Sequence, residues 1–476
     1  MTDLSALAAA FPAVTAADWR ALVEKTLKDA SFDSLTRTTA EGLPIAPLYE
    51  GADRSPAFPL RPFDAERPWD VRGRITHPDP VRANADLMTD LEGGAASALI
   101  RLDPTGASGV AVGSAEDLAR VLDGVMLELA PVALDAGFLG PKAADWLAAA
   151  AKGSPAAKLF FHLDPLSAFA EAGESPGPIE SHLVSAATVA RRLAESYPDA
   201  GLFLASGRVV HEAGGGEAGE LAFAMATAVA YAKALVRAGL PMQDAFARTV
   251  LGLSADADYF ATLAKLRAAR RLWARITAAC GVTAAPRIEA RSSHRMLAAR
   301  DPWTNMLRLT AAAVGASIGG ADSIVLGSFT DALGLPTAFA RRQSRNAQLV
   351  LMEEAHLGRV ADPGAGSGYV EALTDEIARA AWAAFQAIEA KGGLIAALAD
   401  GHVAAETSRV REARLAAGPL KIVGVTAFPQ PGQAPVEVER ATPRAVEAPS
   451  PRLPGPDGRC PPLKPIRLAE PYEVAA

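Results

Sequence analysis

The residues of this chain that could do chemistry are few and scattered. Seven histidines stand at positions 77, 162, 182, 211, 294, 356 and 402, and no two are spaced as metal ligands. His211 has the most suggestive surroundings, because Glu212 follows it and Gly214-Gly215-Gly216 comes next. It falls at the end of a predicted strand, where barrel enzymes keep their active groups, although a lone histidine there is more often structural. Asp362-Pro-Gly-Ala-Gly-Ser-Gly368 offers backbone N–H groups that could cradle an anion ahead of a helix. It follows helical rather than strand sequence, which favours a simple capping turn. Lys265, Arg267, Arg270, Arg271 and Arg275 lie on one helical stretch and could hold phosphates, meet a partner's carboxylates, or form a solvated outer face. No nucleophile elbow, phosphate-binding loop or zinc-protease motif occurs.

These groups need a scaffold, and the composition allows a large one. Of the 476 residues, 50% are hydrophobic and 21% charged. The net charge of -7 supplies no basic footprint for nucleic acid. Cys280 and Cys460 are the only cysteines, which excludes a disulfide framework and a Cys-based zinc site and suits a reducing compartment. The opening Met-Thr-Asp-Leu lacks a basic start and a long apolar core, so no secretory leader is expected. Nor is there an uninterrupted apolar run of about 18 residues. The expectation is a cytoplasmic protein with no membrane or nucleic-acid partner.

Along the chain, residues 15–29 read as a helix capped by Thr15, with Trp19, Leu22, Val23, Thr26 and Leu27 at helical spacing. A Pro-rich stretch from Leu43 to about Arg67 follows, and must lie against another surface or stay mobile. Short apolar runs then alternate with helical ones. The predicted strands are Ala96–Leu102, Gly109–Gly113, Met126–Leu134, Lys158–Leu163, Gly201–Val210, Thr249–Leu253, Arg287–Arg291 and Ser323–Gly327. Such alternation predicts an α/β fold with a parallel sheet, and about eight units fit a (β/α)8 TIM barrel. The expected division is an N-terminal helix and docking arm over 1–66, the barrel over 67–335, a helical region over 336–425 and a Pro-rich tail over 426–476. Within the helical region, Val370, Leu373, Ile377, Ala381 and Ala384 share one face. The tail from Pro429 holds 12 of the 35 prolines and reads as a linker or a wrapping arm.

Several segments, in order, resemble the methylmalonyl-CoA mutase family. They are Gly42-Leu-Pro-Ile-Ala-Pro-Leu-Tyr49, Arg67-Pro-Trp-Asp-Val-Arg72, Ala264-Lys-Leu-Arg-Ala-Ala-Arg270 with Leu272-Trp273, Asp301-Pro-Trp-Thr-Asn305, Asp331-Ala-Leu-Gly-Leu-Pro336, Arg345-Asn-Ala-Gln348, and Asp362-Pro with Tyr369-Val-Glu371. Together they cover about residues 15–425. The resemblance implies a barrel threaded by an acyl-CoA, with adenosylcobalamin held at one end by a flavodoxin-like domain. That domain carries an Asp-x-His-x-x-Gly motif whose His ligates cobalt, and the motif does not occur here. A chain without that domain is therefore expected, ending in Leu468-Ala-Glu-Pro-Tyr472, which resembles the linker into it.

The resemblance also implies losses. The family's substrate-side Tyr falls at Asp64, and its Tyr-His pair after Ser206-Gly207 falls at Arg208 and Val209. An Arg that grips the substrate carboxylate falls at Val184. No residue is then expected to be catalytic, to bind the cofactor or to hold a metal. The implied role is a non-catalytic small subunit in a heterodimer, with adenosylcobalamin bound by the large catalytic partner. Its arm and tail would wrap that partner. Two alternatives are a catalytic barrel of a split acyl-CoA mutase using a separate cobalamin-binding chain, and an acyl-CoA-binding or escort protein.

Overall fold

The computed structural model describes residues 12, 14–50, 64, 66–430, 432 and 434–473. Eight parallel strands close into a barrel: β1 Asp70–Ile75, β2 Ser97–Arg101, β3 Val132–Asp135, β4 Leu159–Leu163, β5 Gly201–Ser206, β6 Thr249–Ala255, β7 Arg287–Ser292 and β8 Ser323–Val325. Each strand pairs with its sequence neighbours, and β8 closes the ring on β1. The TIM barrel expected from the sequence is therefore the fold.

The outer ring comprises α1 Pro80–Glu92, α2 Ala115–Val121, α3 Gly140–Ala150, α4 Ile179–Ser196, α5 Glu217–Arg237, α6 Tyr259–Ala279, α7 Asn305–Ile318 and α8 Ala338–Leu349. Local chemistry sets many of their starts. Asp79 caps α1 by accepting from Arg82 N, with Pro80 in the first turn, and Thr337 caps α8 by accepting from Ala340 N. Helix α5 is long and apolar enough to cross a membrane, but 72% of its apolar window is buried in the body, as expected of a core helix.

Two strand expectations change. Gly109–Gly113 is a loop in which Val110 makes one isolated bridge to Leu102. The missing strand is β1, whose Asp-Val-Arg-Gly-Arg-Ile hides its period because its inward positions are charged. The chain also leaves β5 after Ser206, so Val209 and Val210 lie in the short helix Arg208–Glu212.

Alternation sorts the strand residues by face. Val71, Ile75, Ile100, Leu134, Phe161, Phe203, Leu253 and Ile288 join the helices in the main core. Leu99, Ala133, Val325 and Phe160 form a separate small cluster inside the barrel. Beyond β8, α9 Gly368–Ala390 buries Val370, Leu373, Ile377 and Ala381 as its spacing predicts, and α10 is His402–Ala416.

The arm and tail depart from expectation. The N-terminal helix Ala16–Leu27 has its Thr15 cap, but none of its residues is buried. Residues 37–50 dock on their own chain. Glu41 accepts from Ala218 N and Gly219 N at the start of α5, and Tyr49 packs on Tyr369. The rest of the arm expected to dock, including Phe58, Leu60 and Phe63, lies outside the described residues apart from Asp64 and Glu66. The tail is a collar on its own barrel rather than a free linker. It meets Leu335 through Glu439, Pro104 through Val446, Pro176 through Leu453, Glu212 through Ile466 and Arg295 through Leu468. These contacts step around the loops at the C-terminal rim. Prolines suit this path, because a chain crossing loop after loop makes few regular hydrogen bonds.

Candidate functional site

The collar frames a cavity of about 680 Å³ at the C-terminal mouth of the barrel, where Pro465 joins the strand ends in lining it. This is where barrel active sites sit. Charged side chains line it: Arg74 at the end of β1, Arg101 at the end of β2, Asp135 at the end of β3 and Arg291 in β7. Most are paired. Arg74 reaches Asp331 at 2.6 Å, and Arg291 Nη1 donates to Asp135 Oδ2 at 2.7 Å.

Beneath the mouth the axis is filled. Arg72 Nη1 donates to Glu289 Oε2 at 2.5 Å, and its Nε donates to Ser97 Oγ at 3.0 Å. Arg291 Nε donates to the other Glu289 oxygen at 2.7 Å. The Arg72 guanidinium lies 4.8 Å from the centre of the Phe160 ring. Burial pushes the Glu289 carboxyl up, but Arg291, His162 and Arg72 outweigh it and hold it well below the usual carboxylate range. Four side chains from β1, β4 and β7 thus plug the barrel where a through-channel would run.

Arg208 and Val209 both line the mouth. Arg208 Nη2 lies 3.3 Å from Glu212 Oε1, and burial, followed by the repulsion of Arg291, lowers its pKa. Val209 is 8% exposed and offers no donor. Asp64 does not join them: it accepts from Glu66 N and Arg67 N beside the N-terminal end of β1. Val184 sits on the solvent face of α4, 65% exposed, so the position aligned with a carboxylate-gripping Arg does not reach the mouth.

The remaining candidates are structural. His211 is fully buried, with Nε2 at 3.1 Å from Asp256 Oδ2 and 3.0 Å from Ser293 Oγ. Within the Gly-rich run Ser367 caps α9 by accepting from Val370 N. The basic stretch of α6 is neither a solvated face nor a free docking face. Arg267 binds Asp362 and Glu371, Arg270 binds Asp322, Arg271 binds Glu371 and Asp375, and Arg275 lies over Trp382. Arg267, Arg271 and Arg275 thus clamp α9 to the barrel, while Arg270 ties α6 to the entry of β8.

With this geometry in view, comparison with known proteins decides the family. The methylmalonyl-CoA mutase family profile matches residues 64–450. A methylmalonyl-CoA mutase small subunit of Streptomyces virginiae is 42% identical over 467 residues, covering 92% of this chain and 74% of the relative. The small subunit of Propionibacterium freudenreichii subsp. shermanii is 35% identical, covering 92% and 72%. A probable small subunit of Mycobacterium tuberculosis is 39% identical, covering 84% and 67%. The chain belongs to the methylmalonyl-CoA mutase family. That family is cobalamin-dependent.

Within this mutase barrel, sequence reading missed the plug. The available signal was the strand pair Asp-Val-Arg-Gly-Arg-Ile and Arg-Ile-Glu-Ala-Arg-Ser, where charges occupy alternate positions that an open barrel would leave small. It also missed Asp164, which accepts from Tyr231 OH at 2.5 Å behind the mouth and is pushed up to about 7 by burial.

His162, beside the plug, gives a pH prediction. Neither ring nitrogen has a partner among the described residues, and burial pushes its pKa down to about 4. The folded chain holds it neutral, while the unfolded chain takes up a proton below about 6.5. Stability is therefore full above about pH 6.5 and falls by up to about 3 kcal/mol as the pH drops to about 4. In His162→Phe that segment of the stability–pH curve is expected to flatten. An unchanged slope in urea titrations between those pH values would rule out His162 as its source.

Proposed function

We propose that this chain is the non-catalytic small subunit of a heterodimeric, adenosylcobalamin-dependent methylmalonyl-CoA mutase. The large subunit would hold the cofactor and interconvert methylmalonyl-CoA and succinyl-CoA, while this chain stabilises it. The observation that carries this reading is the plugged axis. An acyl-CoA cannot thread a barrel whose centre holds Arg72, Phe160, Glu289 and Arg291, with Arg72 and Glu289 at 1% and 0% side-chain exposure. Opening that path would leave one buried charge or another unpaired, at several kcal/mol.

The mouth adds support. A dry cavity protects reactive intermediates, whereas here Arg208 stands beside Arg291 and Val209 cannot hydrogen-bond a thioester carbonyl. The residues present do not fit a corrin either. His162, buried beside the plug, and His294 line the mouth, but neither stands in an Asp-x-His-x-x-Gly run, and Asp400-Gly-His402 has Ala405 where the cobalt motif has Gly. His402 opens α10 and is not among the mouth residues. The names of the relatives, all three small subunits, point to a large partner.

The test is turnover of methylmalonyl-CoA with adenosylcobalamin, by this chain alone and co-purified with a large subunit from the same organism. No turnover alone and turnover by a one-to-one complex are expected. In the complex, Arg208→Ala and Val209→Ala should leave kcat within about twofold, whereas losing one donor of an active centre costs about 10²–10³. Turnover by this chain with only a small cobalamin-binding protein would overturn the reading.

A further inference from the structure

The run Gly214-Gly215-Gly216 after His211 makes room for the chain's own arm. Residues 39–43 form a tight turn, in which Thr39 N donates to Leu43 O at 2.9 Å, Gly42 N to Thr39 O at 2.9 Å and Leu43 N to Thr39 Oγ1 at 3.0 Å. Gly42 takes the φ of +88° that this turn requires. Glu41 stands at the tip and enters a socket at the start of α5. Its Oε1 accepts from Ala218 N at 3.0 Å and Gly219 N at 3.1 Å, and its Oε2 accepts from Ala218 N at 3.1 Å. A methyl group on Gly216 would lie 2.1 Å from Glu41 Cδ and 2.2 Å from its Cγ. The socket exists because residue 216 has no side chain.

The arm is otherwise lightly held. No residue from 14 to 50 is buried. Its other anchors include Leu43, packed partly against the core, and Tyr49, whose ring lies 5.3 Å from that of Tyr369. A segment fixed at a few surface points opens locally far more easily than the body unfolds.

Glu41 shares the helix start with Glu217, the first residue of α5, and two carboxylates in one place do not both ionise cheaply. Asp258, capping α6, adds a further negative charge beside Glu217. The cations around the socket are largely engaged. Lys265 of α6 binds Glu220 at 2.6 Å, Arg295 after β7 binds Asp256 at 2.9 Å, and Arg409 of α10 binds Glu406 at 2.9 Å. Arg414 acts more on Glu217 than on Glu41. Arg411 lies against Gly214, His402 lines the cavity beside Glu41, and α9 brings the apolar Ala380, Ala384 and Ile388 to it. Burial, and then the repulsion of Glu217, push the Glu41 carboxyl up to about 7. At Glu217 burial is outweighed by Lys265 and Arg295, which hold that carboxyl below its ordinary value. Of the two, Glu41 takes the proton.

We propose that Glu41 in its glycine socket is a pH-sensitive latch, holding the arm of residues 37–50 to the barrel in mild acid and releasing it in mild alkali. Release uncovers the start of α5 and opens the cavity of about 150 Å³ that Glu41 lines together with α5, α9 and α10. The docked carboxyl keeps a proton that the free arm loses at its ordinary 4.5. Docking is therefore strongest below about pH 4.5 and weakens as the pH rises through about 7. Between pH 6 and pH 8 the docking equilibrium should fall about tenfold.

Hydrogen exchange on the full chain, corrected for the intrinsic pH dependence of amide exchange, reads docking as protection of residues 39–45. This chain alone suffices, so the outcome is independent of the small-subunit reading above. Protection is expected to fall about tenfold from pH 6 to pH 8 while that of the barrel strands stays level. Glu41→Gln, which keeps the shape and loses the charge, should hold the arm with no pH dependence. Gly216→Ala should lower protection at both pH values by at least about tenfold, the loss of one or two hydrogen bonds, with a melting temperature close to wild type. His402 ordinarily titrates in the same window, and His402→Gln should keep the wild-type slope. Level protection in the wild-type chain would overturn the latch. So would a slope that survives Glu41→Gln or vanishes with His402→Gln, and so would full protection in Gly216→Ala.

Discussion

Lys265→Met is expected to lower the unfolding free energy by about 3–5 kcal/mol. Lys265 Nζ lies 2.6 Å from Glu220 Oε2, and both side chains have no solvent exposure. Glu220 also accepts from Ser254 N at 2.5 Å, and its Oε2 lies 3.2 Å from His211 Nδ1. The pair therefore ties α5, α6, β6 and the short helix after β5 together. Burial would raise the Glu220 carboxyl, but Lys265 and His211 outweigh it and hold it at about 2. Removing the lysine strands a buried carboxylate, and that loss dominates the cost. Equilibrium urea unfolding reads the effect as a shift in midpoint at constant slope. The double variant Lys265→Met/Glu220→Gln should recover a large part of the loss, because no charge is left alone. A single variant within 1 kcal/mol of wild type would mean that the pair contributes nothing net. Since Glu220 is depressed below its ordinary value of 4.5, its contribution is full above about pH 4.5 and fades as the pH falls towards 2. That slope should vanish with the pair.

Truncation before residue 434 is expected to cost at least about 3 kcal/mol, because the collar carries its own share of the core. Leu463 is 3% exposed, Ala469 1% and Cys460 9%. Glu473 accepts from Ala299 N and Arg300 N and pairs with Arg467 at 2.6 Å, closing the ring beside the β7 loop. Calorimetry should show a lower melting temperature, and limited proteolysis should cut first in the rim loop of residues 103–113, which the tail covers at Val446. An unchanged melting temperature would mean that the collar rests on the barrel without stabilising it. Burial also pushes the Cys460 thiol up to about 11, so thiol reagents should modify Cys280 alone in the intact chain and both cysteines once the collar loosens.

How much of this was legible can be followed residue by residue. Helix starts were the clearest, because a cap is a contact between neighbours in sequence. Thr15 and the Ser367 turn stand where local chemistry puts them. Seven of the strands fall on predicted segments, six of them apolar runs and the seventh, Arg287–Ser292, alternating charged and apolar residues. The eighth, Asp70–Ile75, was legible only through the family resemblance, since Arg72 and Arg74 break the apolar pattern. Arg208 and Val209 were reached in the same way, and both do line the mouth. Val184 and Asp64 do not, because helix rotation and the path of a Pro-rich segment are not set by sequence position.

By itself the sequence determined the alternation of strands and helices, the closed-barrel class, and membership of the mutase family. These rest on local periodicity and on ordered segments that a single chain carries within itself. Only the tertiary structure decided where the charges go. Arg267 finds Glu371 and Arg72 finds Glu289 across 104 and 217 residues of sequence. A cation reads as surface until its partner is located, because burying it alone costs far more than any local pattern can return. The tail's destination was hidden for a related reason: prolines remove regular hydrogen bonding, so what orders residues 434–473 is the rim they lie against.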